Sequence, residues 1–123
     1  MVLWSIENSW GGEILVPKIP SYRIIDVARA VGPNCDYPVV GVRPGEKIHE
    51  EMITVSDSYN TVDLGTYFSI LPSGSSYTTN NYCEKRRASP VPKDFCYNSG
   101  TNSEFLTVEQ LRQLIRSDID PTV

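Results

Sequence analysis

The octapeptide Arg43-Pro44-Gly45-Glu46-Lys47-Ile48-His49-Glu50 gathers two cations, two carboxylates and the chain's one histidine around a Pro-Gly pair. Pro-Gly forces a turn, and Gly45 permits a positive φ or a close backbone approach. A guanidinium planted beside such a turn offers a rigid planar fork that matches phosphate oxygens through paired hydrogen bonds. The chemistry suggested is anion binding at Arg43, with Glu46 in the same pocket, either bracing the arginine or accepting from a sugar hydroxyl. The competing reading is a charged surface turn whose ion pairs contribute little. His49 with Glu46 and Glu50 is a poor metal set, because a lone histidine beside turn carboxylates is ordinarily a hydrogen-bonded surface group.

Two further polar residues sit where a phosphate or sugar could meet them. Lys18 leaves a strand end between Pro17 and Pro20, a rigid perch for an ammonium, though a strand-end ion pair explains it equally well. Asn102 carries donor and acceptor groups in the polar loop Tyr97-Asn98-Ser99-Gly100-Thr101-Asn102, and a turn-forming role competes with ligand contact there. Ser99 is a weaker candidate in the same loop.

These residues need elements to position them. The apolar run Val39-Val40-Gly41-Val42 reads as a buried strand over 38–42 that delivers Arg43 to its turn. Val2 to Asn8 has near-helical apolar spacing, and Gly11-Gly12 ends it. Glu13 to Pro17 reads as a short strand. Ser21 is placed to cap a helix over 22–31 with the stripe Ile24, Val27, Ala28 and Val31, ended by Gly32-Pro33. A further ordered piece begins at Glu51, Ser56 to Ser58 is a turn, and Thr66 to Leu71 reads as a strand. The region near 72–93 is expected to be a flexible loop. Thr107 and Gln110 form a capping box that opens a helix to about Arg116, with Val108, Leu111, Leu114 and Ile115 on its apolar face. Trp4 and Trp10 are expected in packing roles.

Composition narrows the function classes. A chain of 123 residues suits a single domain, 1–123, with a real core. Its net charge of −4 and scattered basic residues argue against nucleic-acid partners, and Lys85-Arg86-Arg87 reads as a solvated triplet. No apolar run approaches the ~18–20 residues that span a bilayer, and no secretory leader is legible, so no membrane partner and a cytoplasmic location are expected. Three cysteines without C-x-x-C spacing fit neither a disulfide framework nor a zinc site.

The strings Gly12-Glu13-Ile14-Leu15-Val16-Pro17-Lys18-Ile19-Pro20-Ser21 and Arg43-Pro44-Gly45-Glu46-Lys47-Ile48-His49-Glu50 occur with Asp26-Val27-Ala28 and Phe68-Ser69-Ile70. Together they resemble the C-terminal part of the inverting UDP-N-acetylglucosamine 4,6-dehydratases, members of the extended short-chain dehydrogenase/reductase superfamily. The resemblance covers most of residues 2–72 and resumes at Tyr97, Ser99, Asn102 and Phe105-Leu106. It is weakest over about 73–93, where Tyr82-Cys83-Glu84-Lys85 matches no motif. In the family, the helix over Val2–Asn8 begins further upstream. The resemblance implies an α/β fold class: a small mixed α+β substrate-binding portion, with the Rossmann domain absent from this chain.

What the resemblance implies for function follows the residues that match. Arg43, Glu46, Lys18 and Asn102 would contact a UDP-sugar. Arg43 would meet the diphosphate or ribose. The intact family uses bound NADP or NAD to oxidise C4, eliminates water across C5 and C6, returns the hydride to C6 and inverts C5. This chain contains neither a glycine-rich dinucleotide loop nor a Tyr-x-x-x-Lys pair, so no catalytic residue and no cofactor of its own are expected. The leading expectation is a substrate-side portion of such an enzyme, inactive alone and binding a UDP-sugar weakly, from a truncated reading frame or one subunit of a split enzyme. A Rossmann-domain partner chain and self-association into a homo-oligomer are the implied partners. The alternatives are a stand-alone, self-associating binding or assembly module, and a vestigial product.

Overall fold

The computed structural model describes residues 2–74 and 77–116. The tip of the expected loop at 75–76, Met1, and the chain end around Asp120-Pro121 lie outside the described residues. The sequence reads as one domain, and the chain folds as two compact units. One is made by the chain up to Lys18 and by Glu51–Asn98; the other by Ile19–Glu50 and the chain from Ser99 onward.

The first unit is a mixed α/β body built on an antiparallel sheet. Helix α1 (Val2–Asn8) precedes strand β1 (Ile14–Pro17), which pairs with β4 (Tyr67–Ile70). Strand β4 also pairs with β3 (Thr61–Asp63), which follows a 3-10 turn at Asp57–Asn60 and pairs in turn with β5 (Ser89–Pro90), for the order β1-β4-β3-β5. Alternation divides the strand residues between two faces. Val16 and Phe68, cross-strand partners, join Ile53 in one buried cluster, with Phe95 and Tyr97 against it. Val62, opposite Ser69, joins Leu71 and Tyr82 in a second. Strand β2 (Glu51–Ile53) pairs with β6 (Tyr97–Asn98) as a separate antiparallel ribbon interrupted by a register shift.

The second cluster exists because of helix α3 (Thr79–Arg86), which corrects the expectation of a loop through 72–93. Thr78 caps it by accepting from the Asn81 N–H, and Arg87 ends it in the left-handed region at φ 54°. Tyr82 is its single buried residue, so the helix has no apolar stripe to betray it. Lys85-Arg86-Arg87 is not simply solvated either: the Arg86 guanidinium lies 5.5 Å from the Trp10 ring centroid and 5.9 Å from that of Tyr82. Trp4 stacks on Tyr67 at 4.7 Å and Trp10 meets Tyr82 edge-on at 4.9 Å, the packing roles expected of both.

In the second unit, α2 (Ile24–Val31) packs on α4 (Val108–Ile115) through Ala30 and Leu111, and Arg112 Nη2 donates to the Arg29 carbonyl at 3.1 Å. The capping box at Thr107 and Gln110 is present in full. Helix α2 starts two residues later than expected, after Arg23, because Ser21 is otherwise engaged. Its N–H donates to the Glu104 carbonyl, and its own carbonyl accepts from the Leu106 N–H, as in a parallel bridge beside Phe105. The stripe is also narrower than expected: Ile24, Val31 and Leu114 are exposed.

The buried strand over 38–42 does not form. Val39 is 93% and Val40 84% exposed, and no backbone group of 38–42 is hydrogen-bonded among the described residues. An apolar run becomes a strand only where a neighbour completes its ladder. Here Pro38 lacks a donor and Gly41, at φ +88°, leaves the extended region.

Candidate functional site

The Arg43–Glu46 turn is built as its residue types dictate. Pro44 takes the second position and Gly45, at φ +87°, the third, as a type II turn requires. The Glu46 N–H closes it onto the Arg43 carbonyl at 3.1 Å. The Glu46 side chain then locks the turn from outside: Oε2 accepts the Arg43 backbone N–H at 2.9 Å, and Oε1 lies 3.7 Å from Arg43 Nε. This is the bracing role weighed for Glu46. It leaves the terminal nitrogens of Arg43 without a hydrogen-bond partner among the described residues, on a side chain 79% exposed. A shallow depression of about 430 Å³ opens beside the turn, lined by Gly45, Glu46, Lys47 and Glu50. A guanidinium with both outer arms free, its carboxylate neighbour committed to the backbone, can grip an oxyanion in the two-pronged manner.

Lys18 is placed differently. Its ammonium meets both oxygens of Asp63 at 2.7 and 2.8 Å and lies 4.5 Å over the Phe68 ring. The strand-end ion pair is therefore its geometry, joining the exit of β1 to the end of β3. It lies in the first unit, whereas Arg43, Glu46 and Asn102 lie in the second.

Asn102 is a fastener within the second unit. Its Nδ2 donates to the Ile19 carbonyl at 2.9 Å and to Ser21 Oγ at 3.0 Å, and its Oδ1 accepts the Glu104 N–H at 3.2 Å. Both donor hydrogens are spent. Ser99 accepts the Glu50 N–H on Oγ at 3.0 Å and returns its own N–H to the Glu50 carbonyl at 2.8 Å. Of the four expected ligands, the structure brings only Arg43 and Glu46 into contact.

Sequence reasoning missed the pairings across long separations. Lys18 and Asp63 are 45 positions apart, and Glu50 and Ser99 are 49 apart. Neither has a local signal. It also missed the pocket of about 280 Å³ at the start of α3, lined by Asn60, Ser73, Tyr77 and Thr78 among others. Tyr77 there has its hydroxyl pKa raised by burial and by the nearby Glu13 carboxylate, so it stays a neutral phenol that donates to the Gly11 carbonyl at 3.2 Å.

No helix among the described residues is long and apolar enough to cross a membrane. Over 120 residues, 93% of this chain, the sequence is 37% identical to a UDP-N-acetylglucosamine 4,6-dehydratase (inverting) of Campylobacter jejuni. An uncharacterized membrane protein of Methanocaldococcus jannaschii is 31% identical over 94% of the chain. The chain spans about a third of each relative's length, 35% and 34%. In structure it is similar to Pen from Bacillus thuringiensis, with a TM-score of 0.69 over 94% of this chain and 34% of that one; at 23% identity this likeness shows a shared fold. Residues 1–72, which carry both motif strings and the Arg43 turn, match the model of the polysaccharide biosynthesis protein family. The chain belongs to that family.

Proposed function

We propose that this chain supplies the sugar-nucleotide-gripping surface of a UDP-N-acetylglucosamine 4,6-dehydratase-type enzyme in polysaccharide or flagellar glycan biosynthesis, and performs no chemistry alone. The observation that carries the reading is the Arg43 guanidinium, held on a locked turn with both outer nitrogens open. The similarity to a dehydratase of that name supports the choice of a UDP-sugar over other anions. Lys18 and Asn102 act in this reading as supports; either would have to abandon an existing contact to touch a ligand. The proton and hydride transfers need groups and a bound NADP or NAD that this sequence has no motif for, so they belong to a partner domain.

The test is titration of the chain with UDP. Few contacts predict a Kd in the range of about 0.1–1 mM, or roughly 4–5.5 kcal/mol. Arg43→Lys weakens binding, because an ammonium cannot reproduce the fork, and Arg43→Ala removes it while the fold persists. Raising salt acts in the same direction. The same protein mixed with UDP-N-acetylglucosamine and NADP leaves the sugar unchanged. Unaltered UDP affinity in Arg43→Ala would move the site elsewhere, and a 4-keto sugar accumulating in proportion to protein would overturn the division of labour.

A second reading, a self-associating binding module, is favoured by the apolar side chains left in solvent: Val2, Leu3 and Ile6 along α1, and Val39, Val40 and Ile48 around the turn.

A further inference from the structure

The Arg43 turn hangs between two fastenings: Tyr37 before it, whose hydroxyl donates to the Ala28 and Gly32 carbonyls, and the nearer one at Glu50 after it. Its internal bonds join Arg43 to Glu46 only. On the near side, residues 38–42 make no backbone hydrogen bond among the described residues, and on the far side neither do 47 and 48. The first fixed point after the turn is Glu50, whose N–H and carbonyl are both taken by Ser99, at 3.0 and 2.8 Å. One residue earlier, the His49 ring lies flat on Gly100. A Cβ at position 100 would stand 2.9 Å from Cγ and from Cδ2 and 3.0 Å from Nδ1, closer than real contacts allow. A side chain there would push the ring out of this seat.

This clamp buries nothing for the fold, because every residue from 41 to 50 is exposed. Ordering an exposed segment costs conformational entropy with no apolar burial in return. What the clamp fixes is where a charged turn is presented. We propose that Ser99 and Gly100 are positioning residues of the sugar-nucleotide site: Ser99 holds Glu50, Gly100 seats His49, and together they set the place of the Arg43 guanidinium without touching the ligand. The proposal rests on the reading of Arg43 as a phosphate ligand.

The experiment compares UDP titrations of the full chain as wild type, Arg43→Ala, Ser99→Ala, Ser99→Thr and Gly100→Ala, with amide hydrogen exchange at Glu50 and thermal unfolding followed in parallel. Ser99→Ala is expected to speed Glu50 exchange and weaken UDP binding about tenfold, as for the loss of one charge-assisted contact. Ser99→Thr, which keeps the hydroxyl, restores both. Gly100→Ala, acting through His49, weakens binding to a similar extent, and in both weakened variants the salt dependence flattens because the guanidinium contact is what is lost. A purely structural role would lower the melting temperature and leave UDP affinity in the folded protein within twofold of wild type, and that result overturns the proposal. So does unchanged Glu50 exchange in Ser99→Ala. Failure of the wild type to bind UDP, or full binding by Arg43→Ala, removes the underlying reading instead. Should Gly100→Ala fail to fold, the Ser99→Ala and Ser99→Thr pair decides the matter alone.

Discussion

At Asn102, one carboxamide ties three backbone or side-chain groups from two distant segments: the Ile19 carbonyl, Ser21 Oγ and the Glu104 N–H. Removing it leaves those groups to find water or remain unpaired in a half-buried setting, at a cost of about 1–3 kcal/mol. Asn102→Ala is therefore expected to lower the unfolding free energy in a urea titration by that amount while the folded protein keeps its UDP affinity; a loss of affinity without loss of stability would restore Asn102 to the ligand shell. Lys18 follows the same logic at lower stakes, since its pair with Asp63 is about one-third exposed on both sides and solvent screens it. The residue types at both positions were legible in the sequence as polar groups able to hold an anion. Their partners were not, because nothing local announces a contact between residues 45 or 83 positions apart.

Elements whose signals are local were read well. The capping box at Thr107 and Gln110 lies within four residues and is present with both its bonds. Strand β4 was legible from β-branched and aromatic content, and β1 from its brief apolar alternation. Helix α3 was not, because one buried tyrosine in eight residues makes no pattern. The Val39-Val40-Gly41-Val42 run failed for the opposite reason: its apolar content is strong, but a strand depends on a neighbour that composition cannot reveal. The short 3-10 turn after β2 offers a test of its own. Asp57 Oδ2 accepts from Thr54 Oγ1 at 2.6 Å and from the Thr54 N–H at 3.1 Å, and these bonds hold its carboxyl below the ordinary 3.8. A depressed folded-state pKa contributes stability that is complete above the unfolded value and is lost as pH falls through the folded one. Acidification below about pH 4 should therefore weaken the turn. Thr54→Val, which removes the side-chain donor and keeps the backbone one, should move the Asp57 midpoint upward in an NMR titration. An unmoved midpoint would show that the hydroxyl bond does not form in solution.

For the molecule as a whole, the exposed apolar side chains set an expectation about its company. Leu3 is 77% and Ile6 75% exposed on one helix, and Val39 and Val40 before the Arg43 turn are barer still. Covering several hundred Å² of such surface is worth roughly 25 cal/mol per Å² before the cost of association, which favours self-association at high protein concentration. Sedimentation at high micromolar concentration should show a species heavier than 13.8 kDa, and a clean monomer would count against the self-associating reading. The interleaving of the two units has a consequence of another kind, for the order in which the chain can acquire its shape. The polypeptide passes from one unit to the other after Lys18, again after Glu50 and again after Asn98. Strand β1 must wait for β4, which lies about fifty residues downstream, and α2 must wait for α4, near the end of the described chain. The β3–β4 hairpin, whose paired residues Thr61 and Ile70 are only nine positions apart, is the piece of the four-stranded sheet best placed to form early. Closure of the first unit is thus held back until β4 and β5 have been made, and closure of the second until α4 has. On a ribosome the Arg43 turn emerges about fifty residues before Ser99 and Gly100 exist to hold it, so the gripping surface takes form only after both units' later segments have been made.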